Sequence, residues 1–169
     1  MADKPLQIVS GVPTEVEATV TSAGAGNAGD IVALDGSGLL DPSVLPAGVG
    51  QNVDIIASSE NLAAGDWVNI YDNGGTINVR KADADNGREA HGFVRAAVTS
   101  PANATVYGPG ELNDQVSGLT VGADYFLHTT PGGVTTTAPT ATGAIIQRLG
   151  RAKSATAIRF LDSTVIKRA

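Results

Sequence analysis

The stretch that decides the fold is Gly118–Phe160, which reads GLTVGADYFLHTTPGGVTTTAPTATGAIIQRLGRAKSATAIRF. Its short runs of β-branched and aromatic residues are separated by Gly, Pro and Thr turns, and it ends in a strand–turn–strand unit. Within it, the run 144–151 is expected to form one strand. No segment of the chain shows a sustained period of 3.6 residues. The stretch therefore predicts a compact, turn-rich antiparallel β module.

The same alternation of short β-forming runs and turn residues extends back toward the middle of the chain. Its clearest hairpin signal is Asn73-Gly74, which separates the alternating runs 66–71 and 76–81. Asn and Gly accept the positive φ angles that both central residues of a two-residue hairpin turn require. We therefore expect a mainly β fold in which residues 51–169 form a small antiparallel β-barrel or sandwich.

Residues 1–50 have a different character. A glycine-rich joint, SAGAGNAG, precedes an apolar segment that contains Pro42 and Pro46. Proline removes a backbone donor and favours extended geometry in the residue before it, so this segment is a poor central strand or long helix. We expect an extended attachment arm over 1–50 that rests on another surface. Its predicted contact residues are Ile31, Leu34, Leu39, Leu40, Val44, Leu45 and Pro46.

Charge is unevenly distributed along the chain, whose net charge is −6. Residues 1–142 carry 5 basic and 16 acidic side chains, whereas residues 143–169 carry 6 basic and 1 acidic. Arg148, Arg151 and Arg159 are therefore candidate contacts to an acidic subunit or partner. A solvated strand face would give the same pattern, and that alternative stays open. Nucleic acid is a poor partner because the chain as a whole is acidic and no aromatic platform accompanies the basic residues.

Few residues in the chain are suited to catalysis or metal binding. There is no cysteine and there are only two histidines, and the G-x-G-x-x-G spelling at 24–29 is followed by β and turn sequence instead of a helix. We expect no enzyme activity, cofactor, metal or small-molecule substrate. Trp67 and Tyr125 are more consistent with core residues than with a sugar platform. No apolar run is long enough for a membrane helix and the N-terminus lacks a secretory signal, so synthesis in a cytoplasm is expected.

The segment 29–46 carries a specific resemblance. It matches the pattern G-x-I-x-x-L-D-x-x-G-x-L-D-x-S-x-L-P at Gly29, Ile31, Leu34, Asp35, Gly38, Leu40, Asp41, Ser43, Leu45 and Pro46. This pattern resembles the virion-attached end of head-fibre and fibre proteins of tailed bacteriophages. The stretch Gly118–Phe160 likewise resembles a C-terminal module of capsid decoration (cement) proteins, head fibres and tail-fibre bases.

The resemblance implies a structural protein of the virion. The favoured reading is a capsid decoration protein that forms homotrimers on the head surface, binds the major capsid protein and stabilises the shell. The alternative is a head-fibre or tail-fibre attachment protein with a role in host recognition. In either case the expected location is the virion, after synthesis in the host cytoplasm.

Overall fold

The computed structural model describes residues 4–45 and 52–169. The predicted contact residue Pro46 lies outside these ranges. The chain divides into two compact units, Met1–Gly50 and Gln51–Ala169, which we call the N-terminal unit and the C-terminal unit.

The described residues are mainly β, and all pairings between named strands are antiparallel, which confirms the predicted fold class. They contain no α-helix, and the 3-10 helices Gly24–Asn27 and Pro42–Val44 are much too short to cross a membrane. The strands are β1 Leu6–Val9, β2 Val12–Glu15, β3 Val53–Ala57, β4 Trp67–Asp72, β5 Ile77–Lys81, β6 Gly92–Val94, β7 Asn103–Tyr107, β8 Leu112–Asn113, β9 Asp124–Leu127, β10 Val134–Thr135, β11 Ile145–Ile146, β12 Arg148–Ser154, β13 Ala157–Phe160 and β14 Ile166–Lys167.

The N-terminal unit begins with the β1–β2 hairpin. Ser10 and Gly11 form its two-residue turn, with φ angles of 53° and 83°. Both strands are largely exposed. Further along, residues 16–21 form no named strand and pair only through an isolated parallel bridge between Thr19 and Val32.

The first sheet of the C-terminal unit has the order β3-β7-β6-β4-β5. The predicted β4–β5 hairpin is present, but its turn is one position further along the chain. Asn73 N–H bonds to Thr76 O at 2.8 Å, and the positive φ angles of 66° and 90° belong to Gly74 and Gly75. Glycine tolerates positive φ better than asparagine, so the glycine pair takes both central positions.

The second sheet has the order β10-β9-β12-β13-β8, and β11 pairs separately with β14. The single strand expected over 144–151 is therefore wrong: it is two strands in different sheets, separated by Gln147. The Gln147 side chain is buried and bonds to both the backbone N–H and the carbonyl of Ala90, at 2.7 and 2.8 Å. These two hydrogen bonds satisfy the buried Gln147 amide at the point where the chain passes from one sheet to the other.

Two apolar cores lie on opposite sides of the first sheet. Trp67 and Phe93 point into the larger core, where the Trp67 ring is 5.0 Å from the ring of Phe160 in the second sheet. Val68 and Val94, the next residue in each strand, point into the smaller core. The two five-stranded sheets thus pack as a β-sandwich-like fold, and no sheet of the described residues closes into a barrel.

The sheet edges are short or partly closed. The second sheet ends in two-residue strands, β8 on one side and β10 on the other. In the first sheet the chain just after β3 meets β5 through an isolated bridge between Ser58 and Val79.

Candidate interaction surfaces

The polar residues of the 29–46 pattern build the turns of the N-terminal unit. The Asp35 carboxylate accepts the backbone N–H groups of Ser37 and Leu39 at 2.8 and 2.9 Å, and the Gly38 N–H bonds to Asp35 O at 3.0 Å. Gly38 has a φ of 77°, a conformation that glycine adopts at little cost. These hydrogen bonds close a loop over residues 35–39 and fix the direction in which the chain leaves it.

The next turn is built in the same way around Asp41. Its carboxylate accepts the Ser43 N–H at 2.9 Å and its carbonyl accepts the Val44 N–H at 3.1 Å, at the start of the helix Pro42–Val44. The hydrogen bonds from Ser43 lower the pKa of Asp41. The Ser43 hydroxyl in turn accepts the backbone N–H of Ser22 at 2.8 Å, which ties the two halves of the unit together.

Most of the apolar side chains of this segment are left at the surface. Leu39 is 64% exposed and Leu34 is 57% exposed, while Leu40 and Ile31 are 49% and 41% exposed. We call these four residues the apolar surface. Of the other predicted contacts, Val44 and Leu45 are partly buried. Sequence reasoning missed Leu6, Ile8 and Val12 of the hairpin, which are also at least 60% exposed.

The second candidate surface depends on a β-bulge at Leu149–Gly150. Arg148 pairs with Phe126 and Gly150 pairs with Tyr125, so β12 advances two residues while β9 advances one. Arg148 and Arg151 are three positions apart and would point to opposite faces of a regular strand. The bulge brings both to the same face, as bulges redirect side chains elsewhere.

Both arginines bind one carboxylate, that of Asp124 on β9. Arg148 Nη2 lies 2.7 Å from Asp124 Oδ1, and Arg151 donates from Nε to Oδ1 at 2.9 Å and from Nη2 to Oδ2 at 3.4 Å. Hydrogen bonds from Arg151 and then Arg148 lower the pKa of Asp124 from 3.8 to about 2. The same pairing raises the pKa of Arg151.

Two further cations share this face. Arg159 on β13 lies directly opposite Arg151, and its Nη1 donates to Gly110 O at 2.7 Å. Lys153 is two positions beyond Arg151 on β12, and it is exposed like Arg151 and Arg159. We call Arg148, Arg151, Lys153 and Arg159 the cationic face. Sequence reasoning missed Asp124 as a member of this site and counted Lys153 among the basic residues of 143–169 without singling it out. A glycine inside a strand pattern was the available signal for the bulge.

The histidines have structural roles in hydrogen bonding. His91 Nδ1 accepts the Ile70 N–H at 2.9 Å and its Nε2 lies 3.0 Å from Glu89 Oε1, whereas His128 Nδ1 accepts the Thr130 N–H at 2.6 Å. Among residues 4–45 and 52–169, no group of three or more His, Asp or Glu side chains is placed to hold a metal ion.

The described surface also lacks the sugar platform considered from the sequence. Trp67 and Tyr125 are buried, at 0% and 5% exposure, and the Tyr125 hydroxyl accepts the Thr120 N–H at 2.9 Å. An open depression of about 400 Å³ is lined by Asp85, His128 and several threonines. No Trp, Tyr or Phe ring lines it, so it lacks the rings on which sugars usually stack.

No family model, curated protein or solved structure matches the chain. The two surfaces and the 29–46 pattern are therefore the basis for a functional proposal.

Proposed function

We propose that this chain is a capsid decoration protein of a tailed bacteriophage, which assembles as a homotrimer on the head surface and binds the major capsid protein. One observation supports this most. In the 29–46 pattern the polar residues form turns within the chain, whereas the apolar residues at Ile31, Leu34 and Leu40 remain exposed. A segment whose aspartate and serine side chains form its own turns, while three of its four Ile and Leu pattern residues stay exposed, is suited to attachment.

The energetics favour attachment through several copies. Fully burying one leucine or isoleucine side chain contributes about 1.5–3 kcal/mol, so four such side chains per copy give a useful but modest affinity. Linking three copies raises the effective concentration of each remaining arm once the first has bound. A trimer also places equivalent arms around the three-fold positions of an icosahedral shell. The protein is then a structural component made in the host cytoplasm, with no catalytic step.

The assembly state is tested by light scattering on the purified chain. We expect a mass about three times the 17.0 kDa of one copy. A species of 17.0 kDa alone at micromolar concentration would contradict the trimer.

The role of the apolar surface is tested with the double variant Leu39→Gln, Leu40→Gln. We expect it to keep the unfolding temperature of the unmodified chain but to lose binding to phage heads stripped of this protein. The matched control is Ile77→Gln, which replaces a 56% exposed side chain in the C-terminal unit. Equal binding by the double variant and the control would exclude the apolar surface as the attachment site.

Immunogold electron microscopy of virions from the phage that encodes the protein tests the location. Label spread over the whole head supports a decoration protein. Label confined to the tail or to one vertex would instead identify a fibre protein, and unlabelled virions would refute both.

A further inference from the structure

The cationic face has an unbalanced charge in an acidic protein. Of its four cations, Arg148 and Arg151 share the carboxylate of Asp124, whereas Arg159 and Lys153 are exposed on the neighbouring positions of β13 and β12. The whole chain has a net charge of −6. This local excess of positive charge is the opposite of what the composition would give on average, so it favours an anionic partner.

The directly opposed pair of Arg151 and Arg159 strengthens this conclusion. Residues that face each other across antiparallel strands have Cβ atoms about 4.5–5.5 Å apart, and like charges there destabilise the sheet. Arg151 is neutralised in part by Asp124, whereas the guanidinium of Arg159, among the residues that the structure describes, donates to the carbonyl of Gly110 and to no carboxylate. A carboxylate placed between the two guanidinium groups would remove the repulsion.

We propose that the cationic face binds an acidic segment of a partner protein in an extended conformation. Arg151 and Arg159 face each other across the pairing of β12 with β13, and the exposed Lys153 follows on β12 where the register shifts between Ala152 and Ser154. Acidic side chains at alternate positions of an extended peptide are about 7 Å apart and point to one side. Such a peptide can place one carboxylate near Arg151 and Arg159, and a neighbouring one can meet the long side chain of Lys153.

The Asp124 pairing shows how a carboxylate is held on this face. Its two oxygens accept from Nε and Nη2 of Arg151, the fork-to-fork arrangement that makes arginine selective for carboxylate. Because Asp124 occupies two of the guanidinium groups, it competes with any incoming carboxylate. Nucleic acid is the less favoured anion because the rest of the chain repels phosphate, and the neighbouring rings of Tyr125 and Phe126 are buried or partly buried.

Binding of a synthetic peptide of alternating Glu and Thr to the full chain at low ionic strength tests the proposal. Exposed ion pairs contribute up to about 1 kcal/mol each, so Arg151→Gln with Arg159→Gln is expected to weaken binding about three- to tenfold. Raising the salt concentration should shrink that difference. The single variant Arg159→Gln leaves the Asp124–Arg151 pair in place and should lose less affinity than the double variant; because the two arginines are neighbours, their effects need not add.

The matched control is Lys167→Gln with Arg168→Gln, which makes the same change in net charge at exposed residues of another part of the surface. We expect the control to weaken binding less than about twofold. Asp124→Asn should instead strengthen binding, because it removes the competing carboxylate. A purely structural role for the arginines would leave Asp124→Asn neutral or weaker.

Three outcomes would overturn the proposal: no binding of the peptide by the unmodified chain, equal losses in the two double variants, or tighter binding of single-stranded DNA of the same charge through the same arginines. The purified chain is sufficient for these measurements. They can therefore fail or succeed independently of whether the protein decorates a phage head.

Discussion

The N-terminal and C-terminal units differ in where their large apolar side chains lie, because the buried cores of the described residues are all in the C-terminal unit. In the N-terminal unit Leu6, Ile8 and Leu39 are 71%, 70% and 64% exposed. In the C-terminal unit Trp67 and Phe93 are fully buried. Six large apolar side chains of this unit are exposed as well, two of them on β3: Val53, Ile55, Ile77, Val121, Leu161 and Ile166.

This difference means that the two units are stabilised by different interactions. The C-terminal unit is stabilised by apolar cores, since burial contributes roughly 25 cal/mol per Å². The described part of the N-terminal unit is held instead by turns and carboxylate hydrogen bonds such as those of Asp35 and Asp41. Each such hydrogen bond contributes a net free energy of only about 0.5–1.5 kcal/mol. Since the described apolar side chains of this unit are not used in a core, they are available for contact with another surface.

The largest expected effect comes from a core truncation in the C-terminal unit. Phe93 packs between the rings of Trp67 and Tyr107, at centroid distances of 5.4 and 5.5 Å. Phe93→Ala should lower the free energy of unfolding by about 3–5 kcal/mol, measured by urea denaturation, because it leaves a cavity. Leu39→Ala should change it by less than about 0.5 kcal/mol.

Comparable losses in the free energy of unfolding for Phe93→Ala and Leu39→Ala would refute the conclusion that only the C-terminal unit depends on apolar burial. If Phe93→Ala does not fold, Phe93→Leu provides the same comparison with a smaller loss, because it removes less volume.

A smaller effect is expected from the bulge glycine. A Cβ atom on Gly150 would lie 2.1 Å from Arg159 O, and its φ is 152°. Gly150→Ala should lower the free energy of unfolding by about 2–4 kcal/mol, since both the strain and the backbone clash are unfavourable. Gly118→Ala is the matched control, with a φ of 71° and no atom within 4 Å of the added Cβ.

The control should lose about 1 kcal/mol from backbone strain alone. Equal losses in the free energy of unfolding for the Gly118 and Gly150 variants would show that the close approach to Arg159 O does not exclude a side chain at position 150.

The smallest effect should come from Asp124→Asn and should depend on pH. The folded-state pKa of Asp124 is about 2, below its ordinary value of 3.8. A depressed carboxyl pKa contributes stability that is fully present above pH 3.8 and is lost as the pH falls toward 2. The stability difference between the unmodified chain and Asp124→Asn should therefore be constant near neutral pH and shrink through that window.

Urea denaturation at a series of pH values measures this difference. A difference that stays the same from neutral pH down to about 2 would mean that the two arginines do not hold the Asp124 carboxylate in solution.

Local signals in the sequence predicted the fold class and one hairpin. Glycines between alternating runs indicate a turn whatever the rest of the chain does, which is why β4 and β5 were found. The break at Gln147 could not be found this way, because it depends on Ala90, far away in the sequence. The partnership of Asp124 with Arg148 and Arg151 likewise requires both the strand pairing and the bulge.

The short edges of the sheets have a consequence for crowded conditions. A long unpaired strand edge invites pairing with another chain and hence aggregation. The second sheet ends in the two-residue strands β8 and β10, and the first sheet brings its edges together at the bridge between Ser58 and Val79. The second sheet thus offers little backbone for strand-by-strand polymerisation, which lets copies of the C-terminal unit lie side by side without joining through that sheet.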